Sequence, residues 1–445
     1  MASSGALRAW LLLLSLGLAW EPAASWERVS VEDFGAVGDN ASDNTHAFRA
    51  ALLAVKAAGG GEVLVPGPAA TIVFLTAPFN LSSNVELRVE GTVRAVQNSS
   101  AFPLVAVLPS YGSCCADDEA HLNGQATRVH PFVWAVGAAN VTISGGGTID
   151  GAGQYWWPHQ SAPRPHLLEL NSVTGAVVTG VTLLNSAFWT FHPVYCRDVW
   201  IHHMQIQVPW LAHVGGKNLS GFNGDGIDVD SCQDVMIEHN WINCGDDHVT
   251  ILSGMGQAGR DWGMPSKNVT VSDNKLGTGM GLSIGSSVSG GIEDVLYTRN
   301  VMNETAGQWG LGIHIKTKTG NGGYIKNVVY SDNYFEVAGT PGGAIEIECG
   351  YQSGAPTGCN VSSCTEIRDI VFRNLTFAHA GGTGGIKCFP ERPCQNITLD
   401  DVHIENLAGG VGWDCEGVGS GSFTAVTPAR DLASKSDCNF TTLLP

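Results

Sequence analysis

The sequence predicts an all-β fold, a parallel β-helix wound from one strand run after another, with a short capping helix at its N-terminal end. Three observations carry that expectation. Glycine is abundant, at 57 of 445 residues, while charged residues make up only 14 %. That is a composition of short strands joined by Gly turns, and little in it reads as a long amphipathic helix. From Asn84 onward a unit recurs: an Asn- or Asp-led strand, a turn, a second strand and a Gly cluster. Its late starts, at Asn268, Asp294, Asn327, Asp369 and Asn396, lie 26 to 42 residues apart, a solenoid-like period with the excess length in loops. A propeller would need about four strands per unit and a more regular repeat. One rung cannot bury its apolar face alone, so residues 26–445 are expected to fold as a single body.

The elements follow in chain order. Residues 1–25 carry Arg8, an apolar run from Trp10 to Trp20 and the small residues Ala23, Ala24 and Ser25. This is the pattern of a secretory signal peptide cleaved near Ser25, too short for a comfortable membrane span. An N-terminal cap covers about 26–83. Within it VSVEDFGA reads as strand and turn, and Asn44 to Ala58 as the one helix, with Phe48, Ala51, Leu52 and Val55 at helical spacing and Gly59 to Gly61 stopping it. Such a helix would shield the open first rung from edge pairing. The repeats then run as NVELRVEGTVRAV, NVTISGGGTIDGAG, GAVVTGVTLLNSAFW, DVWIHHMQIQV, DVMIEHNWINC and onward to NITLDDVHIENLAGG. In DVMIEHNWI, Val235, Ile237, His239 and Trp241 alternate with Met236, Glu238, Asn240 and Ile242, which reads as one strand. Asn and Ser at strand starts are expected to form ladders inside the solenoid. The insertion at Ser110 to Val129 and the Pro/Gly-rich segment near Gly350 read as loops that wall a groove, and about 350–445 as disulfide-rich loops.

Twelve cysteines in an exported chain favour disulfides over metal sites. Cys359/Cys364, Cys388/Cys394 and Cys415/Cys438 are spaced to staple local loops, and Cys232 and Cys244 flank the DVMIEHNWI strand. Eleven N-x-S/T sequons agree with secretion. The formal net charge of −18 argues against nucleic acid or an anionic membrane as partner. If the substrate is itself acidic, cationic side chains must gather at the cleft. The expected state is a monomer, secreted to the extracellular space or cell wall.

The chemistry concentrates between Gly221 and Gly254. Asp225 lies in NGDGID and the pair Asp246-Asp247 in CGDD, with Asp225 and Asp246 standing 21 residues apart, about one rung. Parallel strands stack about 4.7–4.9 Å apart, so the three carboxylates would converge on one patch. Like charges at that range push one pKa up, leaving one carboxylic acid to protonate a leaving oxygen while its neighbours activate water, the set that glycoside hydrolysis needs. Asp228, Asp230 and Asp234, which follow Gly turns, read as turn formers. His248 and Met280 read as packed residues, as do most of Trp156, Trp157, Trp189 and Trp210.

These motifs resemble the polygalacturonase family, glycoside hydrolase family 28, in its plant-type branch. The likeness runs through VEDFGAVGDNASDNTHAF, LPSYG, GTIDGAGQYWW, RPHLLEL, NSAFWTFHPVYC, NGDGIDVDSC, GDDHVTILSG, PSKNVTV, IGSSVSGGIEDV and IKTKTGNGGYIKNV, in that order along nearly the whole chain after the leader. The resemblance implies a right-handed, pectin-lyase-like parallel β-helix that hydrolyses glycosidic bonds of pectin with inversion, using water and no metal or other cofactor. By position it makes Asp246 the general acid, and Asp225 and Asp247 the carboxylates that hold and activate water. Asn223, His314, Lys316 and Tyr351 fall on its substrate-binding positions. The sequence departs from the family at three places: Gly224 replaces Thr, Met280 replaces the His of Gly-His-Gly, and His314 replaces the Arg of Arg-Ile-Lys. The last leaves Lys316 as the fixed positive charge of that motif, since an imidazole is a weaker carboxylate clamp than a guanidinium. Two alternatives stand beside this reading: a Ca²⁺-dependent β-elimination enzyme on the same architecture, and a wall-polysaccharide-binding protein that has lost turnover.

Overall fold

The computed structural model describes residues 27–112, 127–220, 223–304, 311–337, 343–352, 363–405, 407, 412–429, 432 and 437–443. The leader, most of the Ser110–Val129 insertion, Cys359 and part of the segment after Gly350 lie outside these residues.

The chain is a right-handed parallel β-helix. Its long strands pair into a 24-stranded parallel assembly that turns a corner and an 11-stranded parallel sheet facing it. The corner explains where the sequence reading of DVMIEHNWI fails. That run is two strands, Gln233–Glu238 and Trp241–Asn243, joined through His239 at φ 56°. A left-handed residue rotates the chain, so inside–outside alternation changes phase there: Val235 and Ile237 point inward, then Asn240 and Ile242 do, while His239 and Trp241 face solvent. Equivalent left-handed residues stand at Asp273, Arg299 and Asp332, and others lie a few residues into the strands Gln233–Glu238, Ser266–Ser272, Ile292–Thr298 and Tyr324–Ser331, at Asp234, Asn268, Asp294 and Asn327, with φ between 55° and 59°. Asn and Asp tolerate this region because their short side chains bond the local backbone. That is the physical reason for the Asn- and Asp-led strands.

The ladders are correspondingly displaced from where the sequence suggested. Side chains at strand starts do stack rung to rung, but on the outside: Asn268 Nδ2 donates to Asp234 Oδ1 (2.6 Å) and Asn327 Nδ2 to Asp294 Oδ1 (3.1 Å), both exposed. The internal ladder is Asn240, Asn274, Asn300 and Asn333, each one residue past a corner. Asn274 is typical. Its Nδ2 donates to Ile237 O (3.1 Å) and Asn300 Oδ1 (2.9 Å), and its Oδ1 accepts from Asn240 N (3.0 Å) and Nδ2 (2.9 Å). Removing this amide strands several buried groups, at about 1–3 kcal/mol each. Asn274→Ala is therefore expected to lower the midpoint of chemical unfolding by an amount equivalent to several kcal/mol; an unchanged midpoint would show that the ladder is not structural.

Apolar columns fill the interior. Val235, Val269, Val295, Val328, Ile370 and Ile397 stack in register. Further along the core, Tyr297 and Tyr330 stack at 4.5 Å and Phe335 and Phe377 at 4.8 Å, geometries that add to simple area burial. The helix at Thr45–Ala57 sits where expected and buries Phe48, Ala51, Leu52 and Val55, with the Phe48 ring against Phe74 and Phe79. A second helix, Gly256–Trp262, and an antiparallel hairpin, Leu211–Val214 with Lys217–Ser220, were not expected. Disulfides join Cys388 to Cys394 and Cys415 to Cys438, and Cys364 is also disulfide-bonded. Cys196, Cys232, Cys244 and Cys349 are free and buried, so not every cysteine is used for stapling. Trp156, Trp157 and Trp189 are buried. Among the described residues no helix is long and apolar enough to cross a membrane.

Candidate active site

The 11-stranded sheet positions the site. Its inward residues, Val229, Ile251, Ile284, Ile315 and Ile347, form one apolar column. Its outer face carries polar side chains instead, with Thr250, Ser283, His314 and Glu346 in one row of the ladder. Asp225 lies two residues before the strand Ile227–Asp230, and Asp247 two before Val249–Leu252, so the register of these strands sets the two Asp side by side. One carboxylate oxygen from each of Asp225, Asp246 and Asp247 falls within 4.8 Å of the others. Asp225 and Asp247 are buried and Asp246 is half-buried, so Asp246 is the member that reaches the surface.

Asp247 is the best-held of the three. Lys316 Nζ donates to its Oδ2 at 2.8 Å and Ser283 Oγ to its Oδ1 at 2.6 Å. Burial works against the Lys316 charge, but the Asp247 and Asp246 carboxylates and the Tyr351 hydroxyl outweigh it and raise the ammonium above its ordinary range. The other two carboxyls are pushed up. Burial, then the charges of Asp246 and Asp247, lift Asp225, whose Oδ1 has no hydrogen-bond partner. Burial and the Asp247 charge lift Asp246 to about 6. The cluster therefore carries a proton in mildly acidic solution, in a place where one face is open.

The residues marked by the sequence come together unevenly. Tyr351 spans Lys316 and His314: the Lys316 ammonium lies 5.1 Å from its ring centroid and the His314 ring 5.7 Å. His314 is not unpartnered: its Nε2 sits 3.1 Å from Glu348 Oε2. Asn223 is exposed, in the left-handed region at φ 50°, just after the hairpin. The glycine that follows it has a local reason, because a Cβ on Gly224 would meet Val208 Cγ1 at 2.8 Å. Met280 is half-buried one rung beyond Asp247, and its N–H donates to Asp246 O at 2.8 Å. His248 is buried as expected, between Gly277 O and Gly281 N, and burial lowers it to about 4.

Sequence reasoning missed several contributors. Ser283 orients Asp247, and its only signal was the strand LSI aligned with IHI. Arg164 is buried near Asp225 with its guanidinium over the Phe188 ring; burial lowers it to about 10, against the pull of the Asp225 charge. Earlier on the same sheet face, Arg128 makes two 2.6 Å bonds to Glu169, and His192 lies between Glu169 (3.3 Å) and Asp230 (3.5 Å). Burial opposes the His192 charge, yet the two flanking carboxylates carry it up to about 9. Asp230, read as a turn former, is thus part of a buried polar network that also takes the Tyr111 hydroxyl. Among the described residues three groups are close enough to share a cation: the Asp triad, His166–Glu169–His192 and His314–Glu346–Glu348. Lys316 and Arg128 already supply positive charge to the first two.

A half-buried carboxyl with raised proton affinity beside a carboxylate held by Lys316, on the polar face of a solenoid, fits acid/base chemistry on a polysaccharide. Comparison with known proteins makes this specific: residues 63–424 match the profile of glycosyl hydrolases family 28, and the chain belongs to that family. A probable polygalacturonase of Vitis vinifera is 31 % identical over 92 % of this chain and 82 % of its own length. An endo-polygalacturonase of Pectobacterium carotovorum subsp. carotovorum is 28 % identical over 75 % of this chain and 78 % of its own. The crystal structure of a hyperthermoactive exopolygalacturonase from Thermotoga maritima superposes with a TM-score of 0.75 at 26 % identity, covering 90 % of this chain and 91 % of that one. Membership of a hydrolase family removes the β-elimination alternative. The protein is a glycosidase.

Proposed function

We propose that this glycosidase is secreted as a monomer and hydrolyses a galacturonan-containing polysaccharide of pectin, with Asp246 as general acid and Asp225 and Asp247 holding the attacking water. The observation that carries the division of roles is the 2.8 Å bond from Lys316 to Asp247. It orients Asp247 beside the half-buried Asp246, whose proton affinity is raised by burial and then by the Asp247 charge. Asp246 can hand its proton to the glycosidic oxygen, while the unpartnered Asp225 oxygen and Asp247 are placed to polarise water. Lys316 and the Tyr351 ring are the groups suited to a uronate ring, and they place a cation at the site of a chain whose overall charge is −18. Inversion at the anomeric carbon is carried by the family likeness.

The test is a reducing-end assay on polygalacturonic acid with chelator present, read also for unsaturated ends and, by NMR, for the anomer first released. Hydrolytic products of inverted configuration are expected. The acid must be protonated to act, so kcat/KM should fall about tenfold per pH unit above about 6, the value of Asp246. Binding without release of reducing ends would instead favour a protein that has lost turnover.

A further inference from the structure

The surface next to Lys316 has the wrong sign for a second uronate. Where the family resemblance places an Arg, this chain has His314, and its Nε2 is already directed at Glu348 Oε2, 3.1 Å away. On the adjoining strand Glu346 is paired in register with His314, and Glu348 with Lys316. A ring nitrogen of His314 and one oxygen from each Glu lie within 4.8 Å of one another. Both Glu side chains are half-buried and reach the outer face of the sheet. Lys316 is bonded to Asp247 and Lys387 to Asp414, each at 2.8 Å, and both act on Glu348 only through space. The His314 hydrogen bond holds the Glu348 carboxyl below its ordinary range, so it is ionised in the range where Asp246 is still an acid.

Resting on the galacturonan reading above, we propose that Glu346 and Glu348 determine specificity for the sugar bound next to the one that Lys316 holds, and that they select an uncharged ring over a free uronate. Carboxylates accept hydrogen bonds from sugar hydroxyls readily, whereas a sugar carboxylate at the same place faces two like charges that no arginine offsets. A methyl-esterified galacturonate and a neutral hexose present the same chemistry here, hydroxyls without charge.

The experiment compares three sets of oligomers of equal length: free-acid galacturonides, methyl-esterified galacturonides, and rhamnogalacturonan oligomers with a neutral sugar at alternate positions. Wild type and a Glu346→Gln/Glu348→Gln variant are assayed for kcat/KM, and Asp246→Asn protein for affinity by calorimetry. Wild type is expected to favour one of the two uncharged classes roughly tenfold or more, and the arm that wins identifies the source. The double variant should lose that preference by gaining roughly tenfold on the free acid, the scale of removing a like charge at a partly exposed site. A wild-type preference for free acid that the variant leaves intact overturns the proposal. So does a free-acid preference that appears with added Ca²⁺ or Zn²⁺ and vanishes with chelator, because the carboxylates would then be holding a metal. Should none of the oligomers be cleaved, the galacturonan assignment is what fails; the affinities of Asp246→Asn still decide the selectivity, and equal or tighter binding of the free acid would refute it.

Discussion

Asp246→Asn is expected to lower kcat by about 10²–10⁴-fold, the usual worth of a positioned proton donor, with little change in stability. The amide keeps the shape of the carboxyl, and its oxygen can still accept the 3.0 Å bond that Asp247 N donates to Asp246 Oδ1. What it cannot do is release a proton to a leaving oxygen. Because Asp246 reaches the surface while Asp225 and Asp247 are buried, the loss should appear in kcat with KM nearly unchanged. A substrate with a good leaving group, such as an aryl glycoside, needs less help and should recover part of the rate. If natural substrate and aryl glycoside are hit equally, Asp246 is acting through shape or charge, and the acid belongs elsewhere in the triad.

Lys316→Met should be damaging in a different way. Breaking a buried pair leaves the surviving charge without compensation, typically at a cost of about 3–5 kcal/mol. Asp247, 2.8 Å from the missing ammonium and almost wholly enclosed, would then keep the Ser283 bond but lose its charged partner. Two readouts should move together: the thermal midpoint falls, and kcat drops as Asp247 loses the bond that orients it. A variant that keeps the wild-type midpoint and kcat would mean that Asp247 does not depend on the ammonium.

The parts of this molecule that the sequence displayed were those written in local chemistry. Asp225, Asp246 and Asp247 announced themselves through Gly turns one rung apart, and Lys316 through a motif. Strand starts were legible because Asn and Asp recur there. The corners were not, although they leave a signature: HN at 239–240, DN at 273–274, RN at 299–300 and DN at 332–333. Counting alternation across such a dipeptide puts every later side chain on the wrong face, as happened with Trp241. The polar network of Arg128, Glu169, His192 and Asp230 was hidden for another reason. Its members are drawn from positions 128 to 230 and meet only because consecutive turns of the solenoid lie side by side. No window along the chain contains their partnership. Ser283 belongs to the same class: a small hydroxyl in a strand looks like filler until the register sets it against Asp247.

The column of asparagines reaches from Asn240 to Asn333, and at its two ends the chain changes material, to Met204 below and Leu375 above. The rungs so bound together are those that bear Asp246, Asp247, Ser283, His314 and Lys316. A solenoid melts most easily by fraying from its ends, one coil at a time. From the C-terminal end the unravelling would have to break this continuous seam of amides before it reached Asp246 and Asp247, so that extremity can lose order while the floor of the site stays set.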